Sequence, residues 1–155
     1  TGGTVNWMSI KDATAASAGD KKPVFIFFYT DWCQSCKILQ GVVLKNPVIA
    51  TILNNSYHPV RFNAASQDKH FFFGEAAEGT GQGNPHKLTY ALLKQNFHFP
   101  AYVIMKHNKQ KLTELHGFMV PYQFETFLTY FLNDNYKKQT FDDFVKSFEG
   151  KLTKQ

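Results

Sequence analysis

A chain of 155 residues, 43% of them hydrophobic, is long enough to bury one core and too apolar to stay disordered. Its net charge of +5 comes almost wholly from lysine, Arg61 being the single arginine, and no nucleic-acid motif accompanies it. The lysines therefore read as solvated faces, and nucleic acid is not an expected partner. No apolar run approaches the roughly 20 residues of a membrane span.

Trp7, Met8, Ile10, Ala13 and Ala16 predict an N-terminal helix that Gly19 and Asp20 break. Val24 to Tyr29 is a continuous run of β-branched and aromatic residues, which predicts a strand buried on both faces. Thr30 or Asp31 is placed to cap a helix that begins at the cysteines, and Ile38, Leu39, Val42 and Val43 recur at the helical period. Asn46-Pro47 predicts an N-cap followed by proline at the first helical position. Val48, Ile49, Ile52 and Leu53 give that helix its apolar face, and Asn54-Asn55 its end.

His58 to Asn63 reads as a strand and Phe71 to Phe73 as a shorter one. Residues 74–85 hold glycines 74, 79, 81 and 83 and predict a mobile surface loop. Gly79-Thr80-Gly81-Gln82-Gly83 has neither the spacing nor the Lys-Ser/Thr ending of a phosphate-binding loop. Leu88, Ala91 and Leu92 predict a helix over 85–95. Residues 101–106 and 111–116 predict a hairpin, closed by Gly117. Phe124, Phe127, Leu128, Phe131 and Leu132 form a helical stripe, and residues 134–140 read as a hinge. Thr140 with Asp143 resembles a capping box for a last helix faced by Phe141, Phe144, Val145 and Phe148. This order predicts one three-layer α/β domain with a central mixed sheet, its core at about 5–133 and a helical extension at about 134–155.

The chemistry lies in Trp32-Cys33-Gln34-Ser35-Cys36-Lys37, directly after the buried strand. Two cysteines separated by two residues close too short a loop to brace a fold, and suit reversible chemistry better. At a helix start, backbone N–H groups and the helix dipole favour a thiolate on Cys33. Cys36, one turn further in, can then attack a mixed disulfide formed by Cys33, and Lys37 adds positive charge nearby. Half a zinc site, a copper(I) carrier and an inert buried pair are the alternatives. Zinc would need two more ligands, and no second C-x-x-C or H-x-x-x-H exists. Neither a metal nor a dissociable cofactor is expected, because the cysteine pair itself would carry the electrons.

The stretch from Lys22-Pro23 through Val24 to Trp32-Cys33 resembles the first core strand and active-site entry of the thioredoxin superfamily. Tyr29-Thr30-Asp31-Trp32-Cys33, Asn46-Pro47-Val48-Ile49-Ala50 and His86-Lys87-Leu88-Thr89-Tyr90-Ala91-Leu92-Leu93 are similar to a bacterial, secreted thioredoxin-like branch. The resemblance covers about residues 5–133. It implies a thioredoxin fold in which Cys33 is the nucleophile, Cys36 the resolving thiol and Trp32 a flank of the site. It implies that Phe99-Pro100 carries a cis-proline that helps align an extended substrate.

Two departures stand out. Phe27 occupies the position, six before Cys33, where thioredoxins bury an acid, so general-base help to the resolving thiol is missing. Asp31, Glu75 and Glu78 are the candidate replacements. Gln34-Ser35 replaces Gly-Pro between the cysteines and would retune the redox poise. His98 could add positive charge beside Pro100; His70 and His86 carry less weight. The expectation is a monomeric reductase of protein disulfides, recharged by a partner reductase. The resemblance implies an extracytoplasmic place in a bacterial envelope, with a signal segment removed ahead of Thr1. The rivals are a redox-inactive binding module of the same fold and a thiolate metal-handling protein.

Overall fold

The computed structural model describes residues 3–152. The first helix, α1 (Ile10–Asp20), starts later than the apolar pattern implied, because the Ser9 hydroxyl caps it by accepting the Asp12 N–H at 3.1 Å. Trp7 and Met8 precede it, and Met8 makes a parallel bridge with Val60. Gly19 and Asp20 continue the helix, which ends where Lys21 turns left-handed at φ 68°. Strand β1 (Val24–Tyr29) follows, then α2 (Gln34–Gly41), a 3₁₀ turn at Val43–Lys45, and α3 (Pro47–Ser56). Asn46 caps α3 by accepting the Val48 N–H at 2.9 Å, with Pro47 in the first turn.

Strand β2 (His58–Asn63) leads to a hairpin of β3 (His70–Phe72) and β4 (Glu75–Ala77). The expected loop from residue 74 therefore begins with a strand. Phe73 (φ 49°) and Gly74 (φ 84°) are both left-handed, as a two-residue hairpin turn requires. Helix α4 (Lys87–Leu93) is shorter than predicted at both ends. Strands β5 (Ala101–Met105) and β6 (Lys111–His116) form the expected hairpin. Helix α5 (Pro121–Tyr130) stops before Phe131 and Leu132. The expected hinge contains a short helix, α6 (Asn135–Lys138), ahead of α7 (Phe141–Ser147). Thr140 caps α7 through its hydroxyl, which accepts the Asp143 N–H at 3.1 Å.

The sheet order is β2-β1-β5-β6, with β1 parallel to β2 and antiparallel to β5, and β5 antiparallel to β6. This is the predicted mixed sheet between helical layers. Side chains alternate across β1, so its unbroken apolar run serves two layers at once. Phe25 and Phe27 join Cys36 and Leu39 of α2, Ile49 and Leu53 of α3, and Phe124 and Leu128 of α5. Val24, Ile26 and Phe28 join Ile10 and Ala13 of α1, Leu88 and Leu92 of α4, and Phe72 and Ala77 of the small hairpin. Each fully buried side chain of this size contributes about 1.5–3 kcal/mol of transfer free energy.

Both ends of the described chain are pinned beside α3. The Gly3 N–H donates to the Lys45 carbonyl. Glu125 of α5 is buried, and its carboxylate accepts the N–H groups of Lys151 and Leu152 at 2.8 and 3.0 Å. Leu152 packs against the core on that side.

Candidate active site

After β1 the chain turns through Thr30 and Trp32, and the Cys33 N–H donates to the Thr30 carbonyl at 3.3 Å. Cys33 is itself the N-cap of α2, with extended backbone (φ −86°, ψ 105°), and its Sγ accepts the Cys36 N–H at 3.2 Å. Neither Thr30 nor Asp31 caps this helix. A sulfur one bond from Cβ occupies the same place as a serine oxygen and meets the same orphan N–H. The Thr30 hydroxyl lies buried and has no hydrogen-bond partner among the described residues.

Cys33 and Cys36 are joined by a disulfide, their Cα atoms 5.3 Å apart. The pair is asymmetric: Cys36 is fully buried, whereas Cys33 is partly exposed. An incoming sulfur can reach only Cys33. Ser35 Oγ lies 3.5 Å from Cys33 Sγ, while Gln34 and Lys37 point to solvent. Trp32 is 68% exposed. Ile38 on α2 and Val42 just after it are also exposed apolar side chains.

The Phe99–Pro100 peptide bond is cis. Ala101 pairs with Phe28 across the β1–β5 ladder, so Pro100 lies at the end of the sheet from which the chain runs to Cys33. The Pro100 carbonyl accepts the Gly117 N–H at 2.8 Å. Phe99 and Cys33 both pack against the same core cluster.

The missing acid is replaced by a fully buried ring. Phe27 lies 5.9–6.4 Å, centroid to centroid, from Tyr29, Tyr102 and Trp7, and offers no proton acceptor. Glu75 does not compensate. It sits on β4, beside a hairpin core that packs on the opposite layer, and Lys109 holds its carboxyl below the ordinary range. Glu78 is exposed just beyond that strand, and Asp31 is exposed on the turn before Cys33.

The histidines raised by the sequence, His70, His86 and His98, bond neighbouring residues. His86 is buried and held at both ring nitrogens: Nδ1 accepts the Leu88 N–H at 3.0 Å, and Nε2 bonds the Asp68 carbonyl at 2.9 Å. His70, 5.1 Å from it, bonds Ser66 Oγ, and burial followed by the neighbouring His86 holds its pKa below the ordinary value. His98 is exposed and bonded to Asn96, and its carbonyl accepts His116 Nδ1 at 2.8 Å. Among the described residues, no three His, Cys, Asp or Glu side chains gather as a metal site would require.

The structure adds residues that sequence reasoning passed over. Trp7, Lys45 and Arg61 come together with Lys37 and Gln40 in one cleft beside α2. The only signal for it was the spacing of Lys37, Gln40 and Leu44 on the helix side that begins with Cys33.

Residues 6–107 match the thioredoxin-like family. The chain belongs to that family. No curated protein matches the sequence of this thioredoxin-like chain. Among solved structures, it is similar to a thioredoxin-fold protein from Helicobacter pylori, at 17% identity and TM-score 0.63, covering 90% of this chain and 89% of that one. It is also similar to a thioredoxin from Thermus thermophilus, at 14% identity and TM-score 0.62, covering 84% and 88%. A disulphide isomerase from Xylella fastidiosa Temecula1 matches at 16% identity and TM-score 0.51, covering 94% and 98%. At such identities the likeness establishes the fold: an α/β thioredoxin-like fold with a mixed four-stranded sheet and added C-terminal helices. With the C-x-x-C disulfide, the thioredoxin-like domain is consistent with oxidoreductase activity.

Proposed function

We propose that this thioredoxin-like protein reduces disulfides of protein partners, as a monomer on the extracytoplasmic side of a bacterial envelope. The observation that carries the reading is the asymmetric cysteine pair at the start of α2. Cys33 is reachable and its sulfur accepts an N–H, which favours the thiolate, whereas Cys36 is enclosed.

In the working direction the reduced pair meets a substrate disulfide. The Cys33 thiolate attacks one substrate sulfur, forms a mixed disulfide and expels the other sulfur as a thiolate. Cys36, deprotonated, attacks Cys33 Sγ, forms the intramolecular disulfide and releases the second substrate thiolate. Two electrons pass from the pair to the substrate, and a partner dithiol must restore them. Trp32, Phe99 and Pro100 frame the approach. With Phe27 beside the buried thiol, the proton of Cys36 leaves through water or the departing substrate sulfur rather than a carboxylate, and resolution is the slow step.

Equilibration of the pair against glutathione and dithiothreitol tests the reading. A potential near about −270 mV supports a reductase, whereas one near about −120 mV reverses the direction of electron flow. With Cys36→Ser, a disulfide peptide should remain linked to Cys33, visible by mass spectrometry. A pair that does not exchange at all would favour a redox-inactive binding module.

A further inference from the structure

The cleft beside α2 has a volume of about 460 Å³, and its polar lining includes Lys37, Gln40, Lys45 and Arg61. Three cations line it and no acid does. The ion pairs among the described residues engage other side chains: Lys109, Lys111, Lys137, His58 and His116. Like charges gathered without a counter-charge repel one another, and an incoming anion relieves that repulsion.

Arg61, the single arginine, is the best-prepared member. It is exposed on the edge strand β2, and Nη1 donates to Gln40 Oε1 at 3.0 Å. The guanidinium carbon lies 6.0 Å from the Trp7 ring centroid and 5.9 Å from that of Tyr29. Two aromatic walls and one amide hold the fork in place while other N–H groups remain to be used. A guanidinium held this way loses little freedom on meeting a carboxylate.

Position ties the cleft to the helix that carries the cysteines. The Lys37 N–H donates to the Cys33 carbonyl, and Lys37, Gln40 and Leu44 continue along the side of α2 that starts at Cys33. Lys37 lies in the first turn of α2, and Lys45 ends the 3₁₀ turn that follows it, eight residues further along. Charges strung along that stretch suit a run of carboxylates on a chain better than one compact anion.

Resting on the reductase reading, we infer that this cleft captures an acidic segment of the partner protein next to its disulfide. Arg61, Lys37 and Lys45 receive the carboxylates, and Trp7 forms the wall. The cleft thereby selects which disulfides reach Cys33.

The test has two parts. Calorimetric titration of the oxidised protein with a capped hexaglutamate peptide, which carries no disulfide, should show binding that weakens as salt rises and falls about tenfold in the Lys45→Gln/Arg61→Gln double variant. Inorganic phosphate, titrated in parallel, should bind more weakly than the peptide. In the second part, reduction rates are compared for two disulfide peptides that differ only in flanking glutamates or glutamines. The glutamate peptide should be preferred by about tenfold at low salt, with the ratio falling to about one in the double variant. Absence of hexaglutamate binding, or phosphate binding as well as the peptide, overturns the inference. If neither disulfide peptide is reduced, the reductase reading fails, and the titration still decides the cleft.

Discussion

The two layers that enclose the sheet solve the packing problem differently. On the disulfide side, Phe25, Tyr57, Tyr102, Phe124 and Phe127 form a continuous aromatic cluster with ring centroids between 5.2 and 6.5 Å. On the other side, Phe28, Phe62 and Phe72 are set among smaller groups such as Ala13, Val60, Ala64 and Ala77. There, buried polar side chains take over. Thr14 Oγ1 accepts the Phe73 N–H, Thr89 Oγ1 donates to the Ala64 carbonyl, and His86 ties Asp68 to α4. The difference follows from the chain paths. The disulfide layer packs regular helices whose backbone groups pair internally, so rings and aliphatic side chains fill most of it, with Glu125 holding the C-terminal segment at its edge. The opposite layer must hold residues 64–69 and 78–86, whose backbone groups have no ladder and need side-chain partners. A consequence for the chemistry is that Cys36 sits in the aromatic layer, whereas the imidazoles of His70 and His86 sit against the other.

Three experiments press on this contrast. The largest effect is expected from Phe124→Ala, which removes a fully buried ring that touches Phe25, Tyr102 and Phe127. Denaturant unfolding should show a loss of about 3–5 kcal/mol. A loss under about 1 kcal/mol would mean that the aromatic layer is not close-packed.

His86→Ala attacks the polar layer, and should cost about 1–3 kcal/mol through the lost helix cap and the unpaired Asp68 carbonyl. Hydrogen exchange should quicken around residues 66–70 and at the start of α4. Acceleration confined to the disulfide side would break the contrast.

The smallest effect is expected at the sheet edge. Burial raises the carboxyl of Glu114, but hydrogen bonds from Lys111 and His116 more than offset it, leaving its pKa below the ordinary 4.5. A depressed folded pKa means that the stabilisation is complete above pH 4.5 and fades as pH falls through the folded value. Thermal midpoints should therefore drop on acidification below that point, and Glu114→Gln should flatten this part of the profile. Identical acid limbs for the two proteins would remove Glu114 from the account.

Much of the frame was legible in the sequence. β1, β2 and β6 have the ends their residue patterns predicted, because strands that serve a buried sheet carry long apolar or alternating runs. Of the β3–β4 hairpin, the short strand read at Phe71–Phe73 is β3 shifted by one residue, whereas β4 was not legible, since three residues are too short to show a period and Gly74 reads as the start of a loop. The cysteine pair was plain from its spacing after β1. Its unequal exposure, and the capping role of Cys33 sulfur, arise only when the turn at Thr30 sets the backbone. The cationic cleft was hidden for a different reason. Trp7, Lys45 and Arg61 are far apart in the chain, and meet because β2 runs parallel beside β1 and Met8 bridges to Val60.

The pinned ends have a topological consequence. Gly3 lies against Pro47 and Ala50, and Lys151 lines a hollow with Pro47, Val48, Thr51 and Ile52. Both ends therefore meet on one helix of 10 residues, about 15 Å long. A short linker could close the described segment, residues 3–152, into a ring there, and new termini could be cut at the exposed Gln82-Gly83 tip. In such a circular permutant α4, β5 and β6 would be made before β1, yet the disulfide, its aromatic bed and the Arg61 cleft would keep their neighbours.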